Sequence, residues 1–265
     1  MLRSMYAGIS GMKNSQTKLD VIGNNIANVN TSGFKKGRVT FQDMMSQTTS
    51  GAQGPTDARG GVNAAQVGLG SQLGTIDNIH TQGFRQVSNN PLDLALEGDG
   101  MFVLQDENDA TFYTRAGNFY LDDSGDIVNP DGYYLMGMNE ARINLPETAQ
   151  SFSIQTDGTV NYIDGAGVTV VAGQIALASF SNPAGLQKAG SNLFLDSPNA
   201  GLADAWVTPE TQGSASIISG SLEMSNVDLS EEFTEMITAQ RSFQANTRII
   251  TTSDEILQEL VNLKR

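Results

Sequence analysis

An apolar side chain recurs every seven residues near the C-terminal end of the chain, and this repeat constrains the fold more than any other feature. Residues seven apart lie on one stripe of an α-helix, so the repeat predicts a single helix over residues 229–263. At about 1.5 Å per residue that helix is about 50 Å long, which is too long for it to form the core of a small domain by itself. The repeat consists of Leu222, Leu229, Met236, Phe243, Ile250 and Leu257.

Polar residues mark the predicted start of this helix. Asp228 and Ser230 are suitable N-caps, and the carboxylates of Glu231 and Glu232 suit the positive end of the helix dipole. A second seven-residue series is apolar only at its ends, which predicts a weaker companion stripe. That series consists of Phe233, Gln240, Thr247, Asp254 and Val261.

The N-terminal end carries a weaker form of the same repeat, which predicts a helix over residues 1–30. A monomer offers the apolar stripes little to pack against. We therefore expect the two terminal helices to pair with each other and with those of neighbouring chains in a polymer. The two series are Leu2, Ile9, Gln16 and Gly23, and Met5, Met12, Leu19 and Ile26.

The middle of the chain has a sequence pattern typical of a β-domain. Over residues 76–200, short runs such as MFVLQ, TFYTRAG and SFSIQT alternate with turn sequences such as DDSGD, NPDG and TDG, which predicts an antiparallel sandwich or barrel. Residues 31–75 and 201–224 are predicted to be extended connectors, the second of them leading to a C-terminal helical segment over residues 225–265. The predicted fold class is therefore α+β, with coiled-coil-like helices at both ends and a mainly-β centre.

Charge is distributed unevenly along the 265 residues, which carry a formal net charge of −14. The N-terminal end is basic, whereas the centre and the C-terminal end are acidic, so the two ends are expected to attract each other. The acidic centre argues against a nucleic-acid partner. No run approaches the ~20 apolar residues of a membrane span, and no apolar stretch of ~7–15 residues near the N-terminus predicts a cleavable signal peptide.

The sequence predicts no catalytic, cofactor-binding or metal-binding site. Cysteine is absent, which excludes disulfides, zinc–thiolate sites and thiol catalysis. A lone histidine cannot build a metal centre without suitably spaced carboxylates, so we interpret His80, the sole histidine, as a surface or strand residue. The acidic turns over residues 106–110 and 122–126 lack the spacing of a calcium-binding loop, and no catalytic serine motif or phosphate-binding loop occurs.

Three long motifs resemble one family, the axial proteins of the bacterial flagellar rod and hook. LDVIGNNIANVNTSGFKKGRVTFQDM (residues 19–44) resembles its N-terminal signature, above all in ANVNTSGFK. LDLALEGDGMFVL (92–104) and YTRAGNFYLDDSGDIVNPDGYYLMG (113–137) look like its β-domain. SNVDLSEEFTEMITAQRSFQANTRIITTSDEILQELVNL (225–263) is similar to its C-terminal helix, so the resemblance covers nearly the whole chain in order.

The resemblance implies a structural role without catalysis or a cofactor. In this family the terminal helices form an inner tube around the export channel, and the β-domain forms the outer wall of a helical homopolymer. The implied partners are further copies of the chain, rod proteins at the proximal end, the hook cap during assembly, and hook–filament junction proteins at the distal end. Export through the flagellar type III apparatus is also implied, in agreement with the missing signal peptide.

Within the family, the opening of the chain looks most like the short hook proteins of Gram-positive bacteria, so the resemblance implies a subunit of the flagellar hook. The distal rod protein is the alternative, because it is close in size and pattern. Two other classes remain open from the residues alone. One is an adhesin that binds a surface ligand through its β-domain, and the other is an enzyme whose site the sequence does not reveal.

The asparagine-rich segment after the first helix is expected to make contacts between subunits. Each amide side chain both donates and accepts hydrogen bonds, so amides can cap the helix end and bond a neighbouring backbone. Gly33 permits a sharp turn, and Phe34 is expected to anchor the chain into a neighbour. Lys35, Lys36 and Arg38 are expected to meet acidic tails. The amides concerned are Asn24, Asn25, Asn28 and Asn30.

Overall fold

The computed structural model has an α-helix at each end of the chain and a centre rich in antiparallel strands, which confirms the α+β fold class. It describes residues 2–56, 59–138, 141–201, 206–211 and 213–263. The chain divides into two compact units. The first unit contains the residues up to 27, residues 37–77 and the residues from 228 onward, and the second contains residues 28–36 and 78–227.

Two long helices dominate the first unit, α1 (Leu2–Ala27) and α2 (Leu229–Leu263). α2 covers the range that the seven-residue repeat predicts. Its N-cap is Asp228, whose carboxylate accepts hydrogen bonds from the backbone N–H groups of Ser230 at 2.8 Å and Glu231 at 3.4 Å. α1 is shorter than the predicted range of 1–30, since residues 28–30 form a turn.

α1 and α2 pack against each other as an antiparallel pair. Gly8 lies beside Ile250, and at the other end the ammonium group of Lys18 contacts the carboxylate of Glu235 at 3.0 Å. One predicted stripe on each helix is partly buried along this pair. The stripes are Met5, Met12, Leu19 and Ile26 on α1, and Met236, Phe243, Ile250 and Leu257 on α2.

The companion stripes consist mainly of small or polar residues. The companion series predicted for α2 is wrong, since Phe233 is 50% exposed and Val261 is 68% exposed. Small side chains occupy most of the buried positions because the helices approach closely. A Cβ added to Gly11, for example, would lie 2.7 Å from Nδ2 of Asn246. The buried companions are Gly8, Ser15 and Ile22 on α1, and Glu232, Ala239 and Ser253 on α2.

The predicted connector over residues 31–75 contains four strands of the first unit. β1 (Gly37–Asp43) is hydrogen-bonded to β4 (Ser71–Asn78), and β2 (Ser46–Ser50) forms an antiparallel ladder with β3 (Ala65–Gly68). Most of their side chains are exposed, so no alternation of apolar and polar residues marks the strands in the sequence. Backbone hydrogen bonds rather than buried side chains define these ladders.

The second unit is built from antiparallel ladders and a short 3-10 helix, Pro183–Gly185. Its strands are β5 (Arg85–Val87), β6 (Leu94–Glu97), β7 (Met101–Gln105), β8 (Thr111–Thr114), β9 (Tyr120–Leu121), β10 (Ile127–Val128), β11 (Tyr134–Leu135), β12 (Ser151–Ile154), β13 (Thr159–Ile163), β14 (Thr169–Gln174), β15 (Leu177–Ala178), β16 (Gln187–Gly190), β17 (Leu193–Leu195), β18 (Ser216–Ser219) and β19 (Ser221–Glu223). The largest sheet has the order β16-β17-β8-β7-β11-β10-β9, with β15 also paired to β7, and β12-β13-β14 form a second sheet.

The predicted connector over residues 201–224 is also partly strand. β18 pairs with β6, and β19 pairs with β5, both in antiparallel register. Ile217 of β18 is 1% exposed, so this strand contributes to the core. Strands of three or four residues are too short for periodicity to identify them, and their pairing partners lie more than 100 residues earlier in the chain.

Two apolar clusters form the core of the second unit. The larger contains Phe102 and Phe119, whose ring centroids lie 5.3 Å apart in an edge-on arrangement. The smaller contains Tyr113, whose ring centroid lies 4.9 Å from that of Phe180. This core fixes the strands that hold the candidate site.

Candidate functional site

The asparagine-rich segment ends in a loop, residues 28–36, which belongs to the second unit and which we call the signature loop. Its turn depends on Gly33, whose φ of +70° lies in the left-handed region. A Cβ on this residue would lie 2.5 Å from the backbone nitrogen of Ala116, and its N–H donates to the carbonyl of Glu223 at 2.8 Å. The loop backbone therefore lies directly against the β-structure and leaves no room for a side chain.

Beyond this turn, Lys35 enters a buried ionic cluster with Arg115 and Glu223. Lys35 Nζ lies 2.6 Å from Glu223 Oε1, and Arg115 Nε lies 2.6 Å from Glu223 Oε2. The side chains of Lys35, Glu223 and Arg115 are 1%, 2% and 7% exposed. Lys35 also donates to the Thr81 carbonyl at 2.8 Å, and Arg115 donates to two glycine carbonyls. Two cations therefore share one carboxylate in an interior where charges need partners.

Burial and charge oppose each other in the ionic cluster. Burial by itself raises the pKa of the Glu223 carboxyl, but the charges of Arg115 and Lys35 and the hydrogen bonds they donate outweigh it, so this pKa lies below its ordinary value. Burial also lowers the pKa of Lys35, against the attraction of Glu223. Loss of the carboxylate would leave two buried cations uncompensated, so the cluster is stabilising only as a complete set.

His80 lies beside this cluster, outside any strand. Both ring nitrogens are buried and have no hydrogen-bond partner among the described residues. Burial, together with the charges of Lys35, Lys188 and Arg115, lowers the pKa of His80 to about 4. The imidazole is therefore neutral at pH 7, and its ring centroid lies 5.5 Å from that of Phe194.

A cavity of about 190 Å³ adjoins the cluster, and its lining includes Lys35, His80, Asp99 and Arg115. The two cations are already engaged by Glu223, and the neutral imidazole is not hydrogen-bonded to a carboxylate that would make it a base. In the described part of the chain, no three histidine, aspartate or glutamate side chains are grouped so as to hold a metal ion. The arrangement is therefore best suited to holding the signature loop in place, and we call the ionic cluster of Lys35, Arg115 and Glu223 the clamp.

Asn226 holds the last residue of the signature loop through hydrogen bonds. Its side-chain oxygen accepts a hydrogen bond from the backbone N–H of Lys36 at 2.8 Å. Its side-chain nitrogen donates to the carbonyl of Ile79 at 2.8 Å and to the hydroxyl of Thr81 at 2.9 Å. One amide thus ties the end of the signature loop to the segment before β5.

The four amides predicted to contact neighbouring subunits have different surroundings. Asn25 is buried in α1, where its side chain exchanges hydrogen bonds with the backbone N–H and carbonyl of Gly37, both at 2.9 Å, and donates to a carboxylate of α2. Asn28 accepts a hydrogen bond from a hydroxyl within the signature loop. Asn24 and Asn30 are exposed. Asn25 and Asn28 therefore bind their own chain.

The structure also buries the two side chains that were expected to reach neighbouring subunits. Phe34 is 8% exposed, and the ammonium group of Lys188 lies 5.0 Å from its ring centroid within the second unit. Lys35 meets Glu223 rather than an acidic tail. The difference arises because Glu223, distant in sequence, supplies an internal carboxylate.

The residues predicted to form helical seams lie in the first unit. Ile9 is partly buried, as are the members of the two stripes described above, whereas Leu229 is 40% exposed. The side chain of Leu2 lies outside the described residues. Contacts of these residues with other subunits stay a prediction.

α2 carries further apolar side chains that its own unit leaves uncovered. These side chains are 43–57% exposed on a helix otherwise rich in polar residues, which is typical of a surface that associates with another chain. No helix in the described part of the chain combines the length and apolar character needed to cross a membrane. Phe233 and Ile237 lie on one side of the buried stripe near the start of α2, and Ile249, Ile256 and Leu260 lie on its other side towards the end of the helix.

Sequence reasoning missed Arg115, Glu223 and Asn226 as partners of the signature loop. The available signal was a lone acidic residue at the end of the short strand SLE and a lone arginine after the strand TFYT. Neither signal identifies a partner, because Lys35 and Glu223 are 188 residues apart in the chain.

Three family models match separate parts of the chain in order. A model described as flagella basal body rod protein matches residues 5–35, one described as flagellar hook protein FlgE/F/G D1 domain matches residues 95–162, and one described as flagellar basal body rod FlgEFG protein C-terminal matches residues 218–263. The first match includes most of the signature loop, and the third includes Glu223 and Asn226.

Relatives that span the whole chain agree with these matches. The flagellar basal-body rod protein FlgG of Bacillus subtilis (strain 168) is 59% identical over 100% of both chains. That of Caulobacter vibrioides is 38% identical over 99% of this chain and 100% of its own. The flagellar hook protein FlgE of Borreliella burgdorferi is 30% identical over 100% of both chains. Motifs, fold and full-length similarity thus agree, and the chain belongs to the flagellar hook and rod family of axial proteins.

Proposed function

We propose that this chain is the distal rod subunit of the bacterial flagellar basal body. The observation that carries the proposal is the 59% identity to the B. subtilis rod protein over the full length of both chains. The B. burgdorferi hook protein matches at 30% over an alignment of 443 residues, far longer than the 265 residues of this chain. The rod assignment is therefore better supported than the hook assignment that the opening of the sequence favours.

The two units suit different parts of such a subunit. The second unit has its own core and an internal clamp, so it can serve as a stiff block in the wall of a tube. The first unit leaves apolar side chains of α2 uncovered, and a helical homopolymer would bury them against neighbouring copies. The proposal includes a non-enzymatic role, contacts with other rod and hook proteins at the two ends, and export by the flagellar type III apparatus.

Electron microscopy of basal bodies from a strain that lacks the gene tests this assignment. A truncated rod without a hook is the expected result. A completed rod with nothing beyond it would instead identify the hook subunit. Intact flagella would overturn an axial role of either kind.

Two charge substitutions on α2 test whether the polymer uses the helix faces. Phe243→Glu is expected to weaken the α1–α2 pair and abolish polymerisation, because it places a charge in a partly buried seam. Phe233→Glu is expected to leave the pair intact and still block polymerisation, because Phe233 is 50% exposed in the single chain. Far-UV circular dichroism reports the helix pair, and sedimentation reports the polymer.

The matched control is Gln240→Glu, which adds the same charge at an exposed polar position of α2 and should leave both readouts unchanged. Thermal unfolding of the second unit should be unaffected in all three variants. Normal polymers from Phe233→Glu would show that the side of α2 that carries Phe233 makes no contact between subunits.

A further inference from the structure

A groove with a basic rim lies on the face of α1 that points away from α2. Its volume is about 400 Å³, and its floor is apolar, built from Tyr6 and Ile9 of α1 and from Met44 and Leu69 of the strand connections. Arg3 and Lys13 lie on the rim and are exposed. Among the described residues, neither cation is in an ion pair. We call this the basic groove.

The last two turns of α2 have the complementary character. Ile256, Leu260 and Leu263 form one stripe and are 43%, 48% and 82% exposed. Glu255 and Glu259 flank this stripe, four residues apart on one side of the helix. Neither carboxylate is in an ion pair within the described part of the chain. We call residues 255–263 the acidic tail.

The register of the helix pair leaves most of the acidic tail without a partner in its own chain. Gly8 lies beside Ile250 in the antiparallel pair, so Leu2 stands opposite residue 256. The tail therefore continues past the beginning of α1. Its apolar stripe is exposed because no element of its own helix pair covers it.

The acidic tail cannot enter the basic groove of its own chain. α2 packs on the side of α1 that carries Gly8 and Ser15. Tyr6 and Lys13 point about 150° away from that side at 100° per residue. Since α2 is one continuous helix on the opposite side, a tail that fills the groove must come from another molecule.

We propose that the acidic tail of one copy docks in the basic groove of a second copy. The apolar stripe would fill the floor, and Glu255 and Glu259 would meet Arg3 and Lys13 at the rim. The groove and the tail are different surfaces of the same chain, so each docked copy presents a new tail and a new groove. A heterologous contact of this kind forms an open helical polymer when the rotation between copies does not close a ring, which is the arrangement that the proposed rod requires. This inference rests on the proposed rod function and names the contact that propagates it.

Cysteine cross-linking in assembled basal bodies tests the contact directly, because the natural chain contains no cysteine. The full-length double variant Met44→Cys/Leu260→Cys should form covalent dimers and higher multimers on mild oxidation. Each single variant should form none. The pair Val87→Cys/Leu260→Cys is the matched control, since Val87 is 65% exposed but lies outside the groove.

Charge exchange provides the second test. Lys13→Glu and Glu259→Lys should each lower the yield of cross-linked multimers roughly fivefold, and their combination should restore most of it. Equal cross-linking by the control pair, absence of multimers from assembled rods, or failure of the combined variant to recover would each overturn the groove contact. Absence of the protein from purified rods would instead overturn the proposed function, so the two failures are distinguishable.

Discussion

The second unit encloses Phe102, Leu104 and Ile175 at 0% exposure, whereas the buried apolar side chains in the described part of the first unit are Ile22 and Ala239, each 3% exposed. Burial of apolar surface is the main driving force of folding, and each large side chain contributes about 1.5–3 kcal/mol when fully buried. The second unit therefore has the means to fold within a single chain. In the first unit, the apolar stripes of the two long helices are only partly buried within the single chain.

The two units also differ in how deeply their charged groups are buried. In the second unit, close backbone contacts and a buried carboxylate fix the signature loop. In the first unit, the ion pair between Lys18 and Glu235 is 30% and 46% exposed and contributes little. Substitutions in the two units should consequently affect different measurements.

Removal of the buried carboxylate should have the largest effect. Glu223→Gln is expected to lower the free energy of unfolding of the second unit by about 3–5 kcal/mol, because Lys35 and Arg115 would stay buried with no counter-charge. Urea unfolding of the full chain, followed by near-UV circular dichroism, measures this change. The control is Glu97→Gln, which removes an exposed partner of Arg85 and should cost less than about 1 kcal/mol. Equal losses in the two variants would contradict a stabilising clamp.

Acid should destabilise the second unit through His80. Its pKa is about 4 in the folded state against 6.5 when unperturbed, so the unfolded chain binds the proton more readily between these values. The contribution of neutral His80 to the free energy of unfolding is fully present above pH 6.5 and is lost as pH falls towards 4. The loss is at most about 3 kcal/mol, and solvent screening reduces this figure.

Unfolding of the wild type and of His80→Phe between pH 4.5 and 6.5 measures this effect. The window lies above the ordinary pKa of Glu223, whose own contribution is lost only below 4.5. His80→Phe keeps an aromatic ring beside Phe194 and should remove the slope in this window. If His80→Phe kept the wild-type slope of unfolding free energy against pH, another group would be responsible for the pH dependence.

Two glycine substitutions should act with opposite signs. Gly33→Ala is expected to destabilise the second unit by about 2–3 kcal/mol, because it adds backbone strain at φ +70° and a clash with Ala116. Gly23→Ala is expected to stabilise α1 by about 0.5–1 kcal/mol, since Gly23 is helical and its added Cβ meets nothing within 4 Å. Thermal unfolding monitored in the near and far ultraviolet separates the two units. If both substitutions changed thermal stability in the same direction, the signature loop would not be held as tightly as its contacts indicate.

Sequence reasoning identified the two helices, the β-rich centre and the family, because each depends on patterns that are local in the chain. The seven-residue repeat located α2 and one stripe of each helix. It misassigned the companion stripe of α2, since a small residue such as Ala239 gives no apolar signal although it allows close approach of the helices. Short polar strands such as β2 were missed for a related reason: backbone pairing requires no apolar alternation.

Local patterns in the chain establish which residues turn, which lie on a helix stripe and where charges accumulate, because these follow from backbone preferences and periodicity over a few residues. Long-range packing establishes which of those residues meet. Lys35 was visible as a cation after a turn, yet its partner Glu223 lies 188 residues later and Arg115 lies between them. A buried charge takes whichever opposite charge the fold brings within hydrogen-bonding distance, and only the packed β-structure determines which one that is.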